Sequence, residues 1–151
     1  MGLAYALQEW PYERGDQQVM TTRVLIIDDD AGMRESLKDL LSLEEFECEV
    51  ADTGKKGLAM FQLHKPQLVV LDAQLPDVSG FQVCQMMKKD PLLRRTPIVM
   101  VSGRFTEPQD RVQGLELGAD DFFTKPFDPV LFVARIKNLI RTVAQEKVVT
   151  H

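Results

Sequence analysis

Long apolar runs, cysteine clusters, basic tracts and low-complexity segments are all missing from this 151-residue chain. No run approaches the roughly 20 apolar residues that span a bilayer. The N-terminus has neither a basic region nor the apolar stretch of a secretory signal. A membrane role is therefore excluded from the expectation, which is a cytoplasmic protein. Cys48 and Cys84 are the only two cysteines, both in apolar surroundings. Two isolated cysteines make no disulfide framework, which fits a reducing compartment. With a formal net charge of −5 and no Lys/Arg-rich run, the chain lacks the clustered positive charge that nucleic-acid binding needs. What is present, 44% hydrophobic and 27% charged residues, is the composition of a globular domain, and the length suits one domain with a real core.

Within that ordinary composition, four apolar runs end in residues that carry chemistry. Val24-Leu25-Ile26-Ile27 ends at Asp28-Asp29, Leu68-Val69-Val70-Leu71 at Asp72, Ile98-Val99-Met100-Val101 at Ser102, and Phe122-Phe123-Thr124 at Lys125-Pro126. Ligand sites in open α/β sheets lie beyond the carboxyl ends of the strands. The four runs therefore read as neighbouring strands converging on one site.

Helical patterns fill the spaces between them. Met33, Leu37, Leu40 and Leu41 recur at helical spacing after Asp30, a candidate cap. Phe46, Cys48 and Val50 alternate with Glu47 and Glu49, as in an edge strand with one buried face. Thr53-Gly54 opens a second helix bearing Leu58 and Phe61 and ending before Pro66. The loop Pro76-Asp77-Val78-Ser79-Gly80 leads into a third helix with Phe81, Cys84 and Met87 inward. Thr106-Glu107-Pro108 starts a fourth, with Val112 and Leu115 as its inner stripe and Gly118 just past its end. Asp128-Pro129 starts a long fifth whose Phe132, Ile136, Leu139 and Val143 face the core. Five strand–helix units in alternation predict an α/β fold, a doubly wound five-stranded parallel sheet with helices on both faces. Residues 22–144 form this domain, 1–21 an N-terminal extension and 145–151 a short tail. Leu3, Leu7 and Trp10 in the extension are spaced as one face of a short helix, which suits a frayed leader or a docking segment.

The residues at the strand ends suit phosphoryl chemistry. Asp28, Asp29 and Asp72 offer the hard oxygen ligands that a magnesium-type cation prefers. Asp72 is the candidate nucleophile, since carboxylates attack phosphorus to give aspartyl phosphates. Lys125 offers a compact positive charge to a phosphoryl oxygen, and Ser102 a hydroxyl. Taken singly, each has a plainer reading as an acidic turn, a cap, a surface lysine or a structural serine; the constellation favours the site. Lys125-Pro126 is a candidate cis bond, because X–Pro bonds favour trans by only about 0.5–1 kcal/mol. A phosphatase built on an aspartate nucleophile needs a second acid two residues on, where this chain has Gln74. A nucleotide-binding module would want a glycine-rich phosphate loop, not Asp28-Asp29-Asp30.

From Thr22 to Val143 the chain resembles the receiver domain of two-component response regulators. The resemblance rests on Ile26-Ile27-Asp28-Asp29-Asp30, Leu71-Asp72, Leu75-Pro76, Ser79-Gly80, Val101-Ser102-Gly103, Gly118-Ala119-Asp120-Asp121 and Lys125-Pro126-Phe127, in this order and spacing. It implies a flavodoxin-like fold. It implies Asp72 as phospho-acceptor, fed by a sensor histidine kinase or phosphotransfer protein. Asp29, Asp72 and the Gln74 backbone carbonyl then resemble direct Mg²⁺ ligands, with Asp28 acting through water. Ser102 and Phe122 match the switch positions and Lys125 the partner lysine. The chemistry implied is self-phosphorylation and self-dephosphorylation at Asp72 rather than turnover of a separate substrate. Gln74 and Arg104 fall where the family tunes phosphoryl lifetime. Asp110, Arg111, Asp120, Asp121, Arg135 and Arg141 resemble regulators that form homodimers through the fourth helix, fifth strand and fifth helix, although Val130 and Leu131 replace charges there and suggest a more apolar contact. The alternative is a degenerate receiver that binds a partner without phosphate. No effector module follows the last helix, which leaves a stand-alone regulator and a piece of a larger protein equally open.

Overall fold

The computed structural model describes residues 21–103 and 107–149, with side chains as far as residue 144. The Leu3/Leu7/Trp10 segment, Arg104 and Thr106 lie outside the described residues. In chain order the elements are β1 (Arg23–Ile27), α1 (Ala31–Ser42), β2 (Glu47–Ala51), α2 (Gly54–His64) and β3 (Leu68–Asp72). They continue with α3 (Gly80–Lys89), β4 (Ile98–Ser102), α4 (Pro108–Glu116), β5 (Asp121–Thr124) and α5 (Pro129–Val149). All strand pairs are parallel, and the order across the sheet is β2-β1-β3-β4-β5. The expected doubly wound, flavodoxin-like sheet is thus present, with helices on both faces.

Why the runs are apolar throughout follows from this sandwich. Leu25, Ile27, Val69, Leu71, Ile98, Met100 and Phe122 meet Met60 and Phe61 of α2 and Val83, Cys84 and Met87 of α3 on one face. Val24, Ile26, Leu68, Val70, Val99, Val101 and Phe123 meet Leu37 and Leu41 of α1 and Phe132 and Ile136 of α5 on the other. Successive strand residues point to opposite faces, so a strand covered on both sides must be apolar at every position. Phe123 and Phe127 frame Phe132 at ring-centroid distances of 5.2 and 4.6 Å, fastening α5 to β5. Cys48 and Cys84 are part of this core. Burial pushes their thiols up to about 12 and about 11, so both stay protonated and inert at neutral pH.

Helix starts follow local chemistry. Asp30 caps α1 by accepting from the Gly32 and Met33 amides, Thr53 caps α2, and Ser79 with Gln82 forms a capping box on α3. Gly118 sits past α4 at φ +112°, where only glycine is unstrained. The Lys125-Pro126 bond is cis.

Two expectations need correcting. Val112 and Leu115 are not the inner stripe of α4; they are 53% and 45% exposed, and the buried residue of that helix is Gly114. Nor is the polar side of β2 open to water. Glu47 and Glu49 are both buried, and Glu49 lies 2.8 Å from His64 Nδ1 on α2. An alternating pattern alone does not reveal that a neighbouring helix brings a partner for the acid.

Candidate functional site

Parallel register assembles the site. Ile27 is aligned with Leu71 and Asp72 with Val101, so the residues following β1 emerge beside the end of β3. Ser102 is aligned with Thr124, which puts Lys125 next on the same edge; its amide donates to the Ser102 carbonyl at 2.7 Å. Carboxylate oxygens of Asp28, Asp29 and Asp72 all lie within 4.8 Å of one another. Asp28 and Asp72 are buried, Asp29 is exposed, and Ser102 is buried beside them at the end of β4. Phe122 lies one strand away with its ring fully buried, in the inward position. Gln74 is exposed, and its amide donates to Asp72 Oδ1 at 3.0 Å.

Asp28 is held on every side. Its amide donates to the Ala51 carbonyl at 3.0 Å, and Arg34 Nη1 donates to its carbonyl at 2.8 Å. Its Oδ1 accepts from the Asp30 amide, and its Oδ2 pairs with Lys125 Nζ at 3.0 Å. The same ammonium stands 3.7 Å from Asp72 Oδ2. Asp72 Oδ1 accepts from the Gln74 amide, and its Oδ2 is the oxygen that faces Lys125. Burial, with the Asp28 charge adding to it, pushes its carboxyl up to about 7; the Gln74 amide and Lys125 oppose that rise without cancelling it.

The charge balance states what the site can take. Three clustered carboxylates stand against one lysine ammonium, leaving an excess of acidic groups at this edge of the sheet. Hard oxygens in excess negative charge fit a divalent cation of the magnesium type, which keeps part of its water shell. Asp28, Asp29 and Asp72 could each offer such an ion one carboxylate oxygen.

Some of the site's supports carried no signal in the sequence. Asp77, in the loop after β3, accepts from the Gly54 and Lys55 amides at 2.8 and 2.9 Å and so ties that loop to the start of α2. Arg34 carries a charge that suits any exposed helix, and only the fold brings it to the Asp28 carbonyl. Lys88 links α3 to the Thr96 carbonyl and to Asp120.

Comparison with known proteins agrees with this geometry. The family model for the response regulator receiver domain matches residues 24–137. The phosphate regulon transcriptional regulatory protein PhoB of Pseudomonas aeruginosa is 39% identical over 118 residues, covering 78% of this chain and 51% of that protein. The response regulator PleD of Caulobacter vibrioides is 38% identical over 122 residues, covering 81% of this chain and 27% of PleD. The chain thus spans about half the length of such relatives, or less. Among solved structures, a CheY-like response regulator receiver domain protein from Methanospirillum hungatei superposes with a TM-score of 0.78 at 31% identity, covering 84% of this chain and 99% of that one. With the acidic cluster, the lysine and the sheet order all in place, the chain belongs to the response regulator receiver domain family.

Proposed function

We propose that the domain accepts a phosphoryl group on Asp72 and passes the event on as a change of shape. The observation that carries this reading is Asp72 itself, a buried carboxylate at a strand end, with Lys125 Nζ 3.7 Å from one oxygen and two further acids beside it. The donor is a phosphohistidine on a sensor histidine kinase or phosphotransfer protein in the same compartment, the cytoplasm. Asp72 Oδ2 attacks phosphorus, the P–N bond to the donor imidazole breaks, and the imidazole leaves with the bonding pair and takes a proton. Asp28, Asp29, Asp72 and the Gln74 carbonyl would hold Mg²⁺, which when bound offsets the repulsion between carboxylate and phosphoryl oxygens. Lys125 neutralises charge on the transferred group, and Ser102 donates a hydrogen bond to it. These new partners favour a second state in which Ser102 swings towards the phosphoryl group and Phe122 responds as the aromatic switch.

Val112, Leu115 and Leu131 are exposed on α4 and α5, and an apolar contact with a second copy suits this face. The acids expected to pair across it are engaged within the chain instead, Asp121 with Arg135 at 2.7 Å and Asp120 with Lys88 at 3.1 Å.

Intact mass after incubation with Mg²⁺ and acetyl phosphate tests the reading. One phosphoryl adduct is expected, absent without Mg²⁺ and absent in Asp72→Asn. Light scattering on the same samples should show dimer only after phosphorylation. An unmodified wild type, with a cognate kinase as well as with acetyl phosphate, would favour the degenerate receiver that binds its partner without phosphate.

A further inference from the structure

The corner Ala51-Asp52-Thr53-Gly54, which joins β2 to α2, is bonded to two segments of the acidic site. At its first residue, the Ala51 carbonyl accepts from the Asp28 amide at 3.0 Å. At its last, the Gly54 amide donates to Asp77 Oδ1 at 2.8 Å, and the following Lys55 amide donates to Asp77 Oδ2 at 2.9 Å. Asp77 belongs to the loop that carries Gln74 away from Asp72. Main-chain bonds hold the ends of that loop: the Ala73 amide donates to the Val101 carbonyl, and the Gly80 amide to the Ala73 carbonyl, both at 2.9 Å. Between those ends Asp77 reaches across to α2. Val78 closes the same gap, since a β-carbon at Gly54 would stand 2.4 Å from its Cγ2 and 3.3 Å from Asp77 Oδ1. Glycine at 54 thus lets the loop lie against the corner. The first amides of a helix lack partners within it and attract negative charge. Thr53 caps α2 in the ordinary local way, accepting from Lys56; the Gly54 and Lys55 amides take their acceptor from a different segment. Burial pulls the Asp77 carboxyl up, but the Lys55 and Gly54 amides outweigh it and hold the group below the usual carboxylate range.

We infer that Asp77 is a positioning residue for the metal site: by clasping the loop to the corner that also holds Asp28, it fixes the Gln74 carbonyl relative to the Asp28 and Asp29 carboxylates. The inference rests on the magnesium-holding role proposed for these groups. Asp77 is not one of the clustered acids, and both its oxygens are taken by amides. It therefore acts through the loop and not as a ligand. A magnesium-type ion demands near-octahedral geometry with ligands about 2.0–2.1 Å away, so a carbonyl that drifts weakens binding. The end of β1 and the loop after β3 must keep one spacing, and the corner is bonded to both. Without the Asp77 carboxylate, the Gly54 and Lys55 amides turn to water and the middle of the loop is released from α2. The acids then keep their places while the carbonyl does not.

The test compares the full chain as wild type, Asp77→Ala and Thr53→Ala. Each variant removes a cap from α2 and should lower Tm, but only Asp77→Ala releases the loop. Mg²⁺ is titrated by calorimetry well below every Tm, so that all three proteins are folded. Asp77→Ala should bind Mg²⁺ about threefold or more weakly than wild type, short of the roughly 10–100-fold loss that follows removal of a group bonded directly to a ligand. Thr53→Ala should bind it as wild type does. Amide hydrogen exchange in chelator reads the loop without metal. The Gln74 amide, which donates to Asp72 Oδ1, should exchange faster in Asp77→Ala and at the wild-type rate in Thr53→Ala. Unchanged Mg²⁺ affinity or unchanged Gln74 exchange in Asp77→Ala would overturn the inference. Equal losses of affinity in both variants would overturn it too, because capping of α2 alone predicts that result. A wild type that takes no Mg²⁺ would overturn the proposed metal site instead, and the exchange comparison would still decide whether Asp77 holds the loop.

Discussion

Gly80→Ala is expected to destabilise the domain by about 3 kcal/mol and to abolish phosphoryl acceptance. A β-carbon at Gly80 would lie 2.0 Å from the Asp72 carbonyl oxygen, 2.7 Å from Ala73 Cα and 2.9 Å from the Asp72 carbonyl carbon. These are main-chain atoms of the acceptor strand, so no side chain can swing aside to make room. The Gly80 amide also donates to the Ala73 carbonyl at 2.9 Å, tying the start of α3 to that strand. Relief therefore requires α3 to back away or Asp72 to turn, and either one spoils the cluster. Urea midpoints and the yield of phosphoryl adduct measure the two effects. Gly103→Ala is the control, because the nearest atom to its β-carbon would be Gln74 Oε1 at 3.8 Å, and a change within about 0.5 kcal/mol is expected. Equal stability of the two variants would contradict the packing argument.

Asp72→Asn should stabilise the protein when metal is chelated, by about 2–4 kcal/mol at pH 7.5. The wild-type carboxyl is 5% exposed, and burial lifts it from 3.8 to about 7. A raised carboxylate means that the folded chain binds the proton more tightly than the unfolded one. Stability is then lost as pH rises from 3.8 towards 7. The gap in Tm between variant and wild type should open across that window and stay constant above it. The amide keeps the Gln74 hydrogen bond while removing one charge from beside Asp28. Millimolar Mg²⁺ should raise the wild-type Tm and leave the variant nearly unchanged, since binding to the folded form alone stabilises by mass action. A variant less stable than wild type in chelator at pH 7.5 would show that the cluster is not under electrostatic load.

The strands and the site they carry were legible because both faces of a central parallel strand must be apolar, and polar residues are then confined to the ends. Asp28, Asp72, Ser102 and Lys125 stand out for that reason, and register alone brings them together. The caps Asp30, Thr53 and Ser79 were legible because capping is a local event. What escaped was every interaction set by which helix lies over which strand. The apolar side chains Val112 and Leu115 suggested an inward stripe for α4, yet the space beneath that helix is filled by the Phe122 ring. The helix fits it with Gly114 and leaves its larger residues outside. Glu49 reads as a solvated edge residue until His64, fifteen positions away, is folded against it. The tie from Asp77 to the α2 amides spans 22 and 23 positions and follows no local rule.

Mapping the modified residue tests the central claim most directly. The protein is phosphorylated with acetyl phosphate in Mg²⁺ and reduced with borohydride, which converts an aspartyl phosphate to homoserine, and its peptides are then sequenced by tandem mass spectrometry. The account predicts homoserine at position 72 and nowhere else. Homoserine at position 28 or 29, or no conversion in a sample whose intact mass carries the adduct, would contradict Asp72 as the acceptor.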